Sequence, residues 1–192
     1  MGEITEKDRA IITGQLGKSP SGLVDIPTRC RYGFPVVLTT KPLIRKDDGF
    51  EIFPTLYWLS CPKRVEEVAR IESNGYVRDL EEEIASNPTL KKQYLEAQDR
   101  YLKAQQSLLT EEDREFVEEK GLIGALTRGI GGIESDEHLK CLHLHLAHQL
   151  AGRNVLGEII QERFNPGDCH PDEVRCEDFL QEGQNRGRRS VG

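Results

Sequence analysis

Leu90, Tyr94, Ala97, Tyr101, Ala104 and Leu108 recur at alternating spacings of four and three residues, with mostly polar residues between them. That period places all six on one face of a helix of about five turns. The face offers either a pairing surface for a partner helix or a stripe that packs on the protein's own core. Its short run, under three full heptads, favours the core. Upstream the pattern changes. A short helix is predicted near residues 6–16 and a Gly/Pro/Ser turn over 17–22. Extended segments follow at 23–30, 34–40 and 53–60, where apolar and β-branched residues sit between turn residues. Asp47-Asp48-Gly49 supplies a turn between the second and third of these, so two or three antiparallel strands form a small sheet.

The remainder is helical in pattern. Pro62 stands at the first position of a helix that Ser73-Asn74-Gly75 ends, and a shorter helix covers 78–85. Thr110 followed by Glu111, Glu112 and Asp113 is an N-cap with acids in the first turn, opening a helix to about residue 120. The segment 121–133 carries five glycines and is expected to be a loop. Ser135-Asp136-Glu137 caps a helix over 137–152, and another over 156–164 ends at Asn165-Pro166-Gly167. The fold class is therefore α+β, a mostly helical domain with a small N-terminal antiparallel sheet packed on the 137–152 helix. Residues 1–164 are expected to form one globular domain. Residues 165–192 form a C-terminal extension, whose last ten residues, with Arg186, Arg188 and Arg189 among Gly and Ser, are expected to be disordered.

Composition narrows the function classes. With 36% hydrophobic and 31% charged residues the chain has the balance of a soluble globular protein. No run approaches the roughly 18 apolar residues of a membrane span, and the first residues lack the order of an export signal, so a cytoplasmic location is expected. Against 26 Lys and Arg stand 33 Asp and Glu, a net charge of -7, which argues against a duplex nucleic-acid binder held by bulk charge. The five cysteines include no Cys-x-x-Cys pair. In a chain without an export signal they are thiols or metal ligands, and any shared site must be assembled from distant segments.

The predicted 137–152 helix carries most of the candidate chemistry. On a helical wheel, Leu139, Leu142, Leu146 and Leu150 form one stripe, while Cys141, His145 and His148 share another face within about 60°. That i, i+4, i+7 arrangement can converge on one ion. His143 falls beside the leucine stripe, where a core histidine bonded to a carbonyl or carboxylate is the plainer reading. Cys30 and Cys61 each end a predicted strand and can meet this helix. Cys30, Cys61, Cys141 and one histidine suit zinc, and thiolate-rich ligation also suits an iron-sulfur cluster. Cys169 and Cys176, with His170 between them, are metal-like in composition but lie near the tail.

Two segments resemble phosphate sites. Gly14-Gln15-Leu16-Gly17-Lys18-Ser19 lacks the first glycine of a phosphate loop, and Pro20 obstructs the helix that should follow. Arg128, Gly129, Gly131 and Gly132, running toward a helix start at Ser135, make a better anion site, with free N-H groups beside a guanidinium.

Several separated segments occur together: Gln15-Leu16-Gly17, Arg29-Cys30, Gly33, Pro35-Val36-Val37, Phe53-Pro54-Thr55-Leu56-Tyr57, Ser60-Cys61-Pro62, Lys140-Cys141-Leu142-His143 and Ala147-His148. In this order they resemble a bacterial family catalogued as domain of unknown function 501, over roughly residues 12–158. The resemblance implies cysteines at Cys30, Cys61 and Cys141 and histidines at His143 and His148, and it carries no reaction. It points to His143 where the wheel points to His145, and both retain His148. The chain departs from the family pattern at Val155-Leu156-Gly157 and beyond Phe164, so any role of Cys169, His170 and Cys176 is expected to be particular to this protein. The leading expectation is a metal-binding domain with zinc or an iron-sulfur cluster on Cys30, Cys61, Cys141 and His148, with His143 and His145 as second choices. A metal-free interaction module using the 90–108 helix, and a phosphoryl-ligand enzyme using the 128–135 loop, are the rivals.

Overall fold

The computed structural model describes residues 3–133 and 138–180. Its elements in chain order are α1 (Glu6–Leu16), β1 (Leu23–Arg29), β2 (Pro35–Thr40), β3 (Leu43–Lys46), β4 (Gly49–Ile52), β5 (Tyr57–Leu59), α2 (Pro62–Ser73), α3 (Tyr76–Ser86), α4 (Pro88–Ser107), α5 (Glu111–Glu119), α6 (Ile123–Leu126), a 3-10 turn (Ile130–Gly132), α7 (Leu142–Ala151) and α8 (Val155–Phe164). The fold is α+β, with the small antiparallel sheet near the N-terminus.

The sheet runs in the order β1-β2-β5, with β2 central and buried at every position from Pro35 to Thr40. A strand buried on both faces needs a continuous apolar run rather than alternation, which Val36, Val37 and Leu38 provide. Val37 pairs with Leu59 and Thr39 with Tyr57. Pro27 is accommodated because β1 is an edge strand. Asp47 and Asp48 close a separate hairpin, β3 to β4, in which Lys46 faces Gly49. The expected turn is real, but it joins two further strands rather than the sheet's second and third, and β5 follows only after the hairpin.

Helix α1 is fixed at its start by a capping box between Thr5 and Asp8, and α5 by the same device between Thr110 and Asp113. The buried Asp8 also takes both terminal nitrogens of Arg29 at 2.5 and 3.0 Å, which ties α1 to β1. This guanidinium holds the Asp8 carboxyl down at about 2.

Helix α4 turns its Leu90, Tyr94, Ala97 and Tyr101 stripe inward, against α3 and α8 among others. The stripe is thus covered by the protein's own core. One of its members also does polar work: Tyr101 Oη accepts from Leu56 N at 2.6 Å and donates to Pro54 O at 3.0 Å, and Gln105 Nε2 reaches the same carbonyl at 2.9 Å. The irregular stretch between β4 and β5 therefore has its backbone groups paired by α4.

Helix α7 lies at the centre, against β5, β1 and β2 on one side and α8 and α2 on others. Leu142, Leu146 and Ala147 are fully buried there. Its close crossing with α8 depends on Gly157, where an added Cβ would stand 2.4 Å from His145 O. Two expectations are corrected. The helix starts at Leu142 rather than 137, since Cys141 is extended at φ -163°, ψ 154°. The 121–133 segment is not wholly loop, as α6 and the 3-10 turn occupy part of it. The expected cap at Ser135-Asp136-Glu137 and the last ten residues lie outside the described residues. Among the described residues no helix is long and apolar enough to cross a membrane.

Removing the Tyr101 hydroxyl orphans the Leu56 N-H inside the core. Tyr101→Phe is expected to lower unfolding stability by about 1–3 kcal/mol in urea titrations, and a cost near zero would show that this hydroxyl does not hold the 53–57 segment.

Candidate metal centre

The N-terminus of α7 presents N-H groups that need acceptors, and its N-cap residue, Cys141, makes no side-chain cap bond. The acceptor comes instead from α2. Glu72 Oε1 takes Leu142 N at 2.5 Å and stands 3.0 Å from His143 Nδ1. Three residues earlier along the chain, Glu81 of α3 takes Leu139 N at 2.7 Å. Two carboxylates on neighbouring helices therefore fix the path of the chain into α7.

His143 Nε2 lies 3.0 Å from Val65 O. A carboxylate and a carbonyl can only accept, so both ring nitrogens of His143 carry protons and the ring is an imidazolium. Hydrogen bonding to Cys141 and Glu72, opposed by burial, pushes its pKa up to about 10. Burial alone would raise the Glu72 carboxyl. The bonds from His143 and from the first N-H groups of α7 outweigh it and hold the carboxyl below its ordinary value. Sulfur, nitrogen and oxygen donors of Cys141, His143 and Glu72 all lie within 4.8 Å of one another, and each residue is only partly buried. Among the described residues this is the group that gathers three such donors.

The expected ligands are therefore divided. Cys141 and His143 come together with Glu72, whereas Cys30, Cys61, His145 and His148 do not join them. The wheel that placed Cys141 beside His145 and His148 fails because Cys141 is outside the helix, so its extended backbone points the thiol elsewhere. Cys61 caps the other end of α2 from Glu72 and is buried. Along a helix rising about 1.5 Å per residue, that separates it widely from Cys141.

His145 and His148 are buried at 1% and 3% exposure. The amide of Asn154, which also caps α8, stands 3.3 Å from His145 Nδ1 and 3.1 Å from His148 Nδ1. An amide nitrogen donates, so both Nδ1 atoms are acceptors and both rings are neutral with the proton on Nε2. Tyr57 stacks on His148 with ring centres 5.5 Å apart. Burial, with repulsion from His148, lowers His145 to about 3; burial, with repulsion from Arg100, lowers His148 to about 4. They form a polar core network rather than a ligand pair.

Three N-H groups of the expected anion loop are already taken. Gly129 N donates to Ile133 O, Gly132 N to Gly129 O, and Ile130 N to Gln98 Oε1. These N-H groups are not free to cradle a phosphate. Gly131 packs on Leu144 and Lys140, and Ser135 lies outside the described residues. Glu72 was not singled out from the sequence, yet a signal exists. It follows Val65 and Val68 at helical spacing, a carboxylate on the face that the helix buries.

The class these features define is an α+β domain with a carboxylate, a thiol and an imidazolium grouped at the start of its central helix. Residues 26–162 match the family described as "Protein of unknown function (DUF501)", and the chain belongs to that family. No curated protein and no solved structure matches the chain.

The two neutral histidines set the acid limb of stability. In the unfolded chain each takes up a proton at about pH 6.5, whereas in the fold neither does until far lower pH. Their contribution is complete above about pH 6.5 and is lost as the pH falls through about 4 for His148 and about 3 for His145. Denaturant titrations from pH 7 to 4 should show a stability slope that flattens in the double variant His145→Gln/His148→Gln; an unaltered slope would mean that these rings are not the groups being protonated.

Proposed function

We propose that this protein is a metal-binding member of its family, with an ion held by Glu72, Cys141 and His143. The carrying observation is the convergence of three different donor atoms on one partly exposed point. In this reading the metal takes the place of the proton between His143 Nδ1, the Glu72 carboxylate and the Cys141 sulfur. The remaining His143 N-H keeps its bond to Val65 O, the support that orients a metal-bound imidazole. Sulfur, nitrogen and oxygen donors together suit zinc. A single thiol does not suit an iron-sulfur cluster, which takes several. Three protein ligands leave a fourth position for water or a substrate atom, the arrangement of zinc sites that act as Lewis acids.

The competing metal-free role is also specific. Glu72 and His143 together serve as the cap of α7, and in that case Cys141 contributes nothing to metal content. Cys141→Ser separates the two, because it leaves the Glu72 cap in place. Protein purified without an affinity-tag metal is expected to lose one equivalent of tightly held zinc on this substitution while keeping its helical circular dichroism. Equal zinc in both proteins contradicts the proposal.

Metal uptake here displaces the proton that His143 holds until about pH 10. Apparent zinc affinity should therefore rise about tenfold per pH unit for each proton displaced, across the neutral range. Competition titrations with a chromophoric chelator at several pH values measure this, and a pH-independent affinity would place the ion elsewhere.

A further inference from the structure

The described part of the C-terminal extension, residues 165–180, lies against the first half of α2, the turn after β1 and the end of α1. It leaves α8 through Asn165, which is left-handed at φ 45°, and Pro166-Gly167. Its first residues are held by polar contacts. Asp168 meets Arg64 Nη2 at 2.9 Å and accepts Arg31 N at 3.1 Å, while Arg64 Nη1 donates to Pro166 O at 2.7 Å. Gly167 N donates to Glu67 at 3.1 Å, and Tyr32 Oη donates to Cys169 O at 3.0 Å. Residues 170–173 are then exposed, and Arg175 pairs with Glu66 at 2.6 Å. The far end is apolar. Cys176 and Phe179 pack with Ile11 and Phe34, and the Phe179 ring fills the space of the side chain that Gly14 lacks, where an added Cβ would stand 2.4 Å from the ring.

We propose that this surface is a peptide-binding site that the chain occupies in cis, and that its ligand class is an acidic peptide with an aromatic anchor. Each half of the surface specifies part of that ligand. The guanidiniums of Arg31 and Arg64, with the Arg31 N-H, select a carboxylate. The notch at Gly14, beside Ile11 and Phe34, admits a ring because glycine leaves the helix surface open there. The present occupant has this composition, with five acidic residues and one arginine over 165–180 and Phe179 near its end. It is attached as a bound peptide is, rather than as part of the core. Among the described residues it adds no strand to the sheet, and of residues 165–180 only Pro166 and Cys176 are buried. Its pairs with Arg31 and Glu66 are partly exposed and so individually weak. Segments with few buried contacts open well below global unfolding, and the tether to α8 is what keeps this one at high local concentration. The matched family span, 26–162, contains Arg31, Phe34 and Arg64 but not the occupant. None of this depends on the site at Cys141.

The test uses the full chain under reducing conditions and a fluorescein-labelled synthetic peptide of residues 165–180, followed by fluorescence anisotropy. Asp168→Ala/Phe179→Ala weakens the tethered segment and leaves its seat intact. The peptide should bind this variant at least about tenfold more tightly than the wild type, whose site is already filled. Adding Gly14→Ala closes the notch from the seat side, while alanine suits the interior of α1 better than glycine does. Binding should then be lost with circular dichroism retained, and a scrambled peptide of the same composition should bind none of the three proteins. Gly14→Ala alone should also speed tryptic cleavage after Arg175, a second measure that holds if the double variant does not fold. The proposal is overturned if a folded double variant fails to bind the peptide, or if the wild type, the Gly14→Ala-bearing variant or the scrambled peptide binds equally well. Cleavage after Arg175 unchanged in Gly14→Ala overturns it as well.

Discussion

The bond from the backbone of α7 to Glu72 is the constraint on which the centre of this protein depends. A helix start buried against a sheet must place its first N-H groups on some acceptor, and the residue at that position, Cys141, does not provide one. Glu72 reaches across from α2 and does so at 2.5 Å. Once a carboxylate is committed there, a cation beside it is favoured, and His143 supplies it. The thiol of Cys141, which makes no cap bond, completes the group. A structural need and a ligand set thus share the same atoms.

The same helix shows how strongly position governs the chemistry of one residue type. His143 faces a carboxylate and a carbonyl and is held charged, whereas His145 and His148 face an amide donor and aromatic rings and are held neutral. All three lie within six residues. What separates them is the partner that each ring nitrogen meets: Glu72 from α2 in one case, Asn154 at the start of α8 in the other. Gly157 permits that second meeting by letting α8 approach the backbone of α7.

Much of the fold was legible because it rests on local signals. The 3–4 spacing of Leu90 to Leu108 defined α4 and its buried face, Pro62 and Thr110 marked helix starts, and the apolar run through Val36 to Leu38 marked the central strand. The start of α7 was not legible. Ser135-Asp136-Glu137 resembles a cap, but the acceptor actually used is remote in sequence, and that shift of the helix start removed Cys141 from the wheel. The family resemblance indicated His143 where the wheel indicated His145, and His143 is the ring that stands beside Cys141 and Glu72. His143 also takes the carboxylate and carbonyl partners expected of a histidine beside the leucine stripe. Cys30 and Cys61 were expected to join Cys141, but the length of α2 separates Cys61 from it, and Cys30 packs in the cluster that holds Cys176 instead.

Zinc K-edge absorption on the zinc-loaded protein tests the central claim most directly, since it reads the donors around the ion at α7. The account predicts one sulfur at about 2.3 Å and the remaining donors nitrogen or oxygen at about 2.0–2.2 Å. A shell made mainly of sulfur, or no retained zinc, would contradict it and leave Glu72 and His143 as the cap of α7 alone.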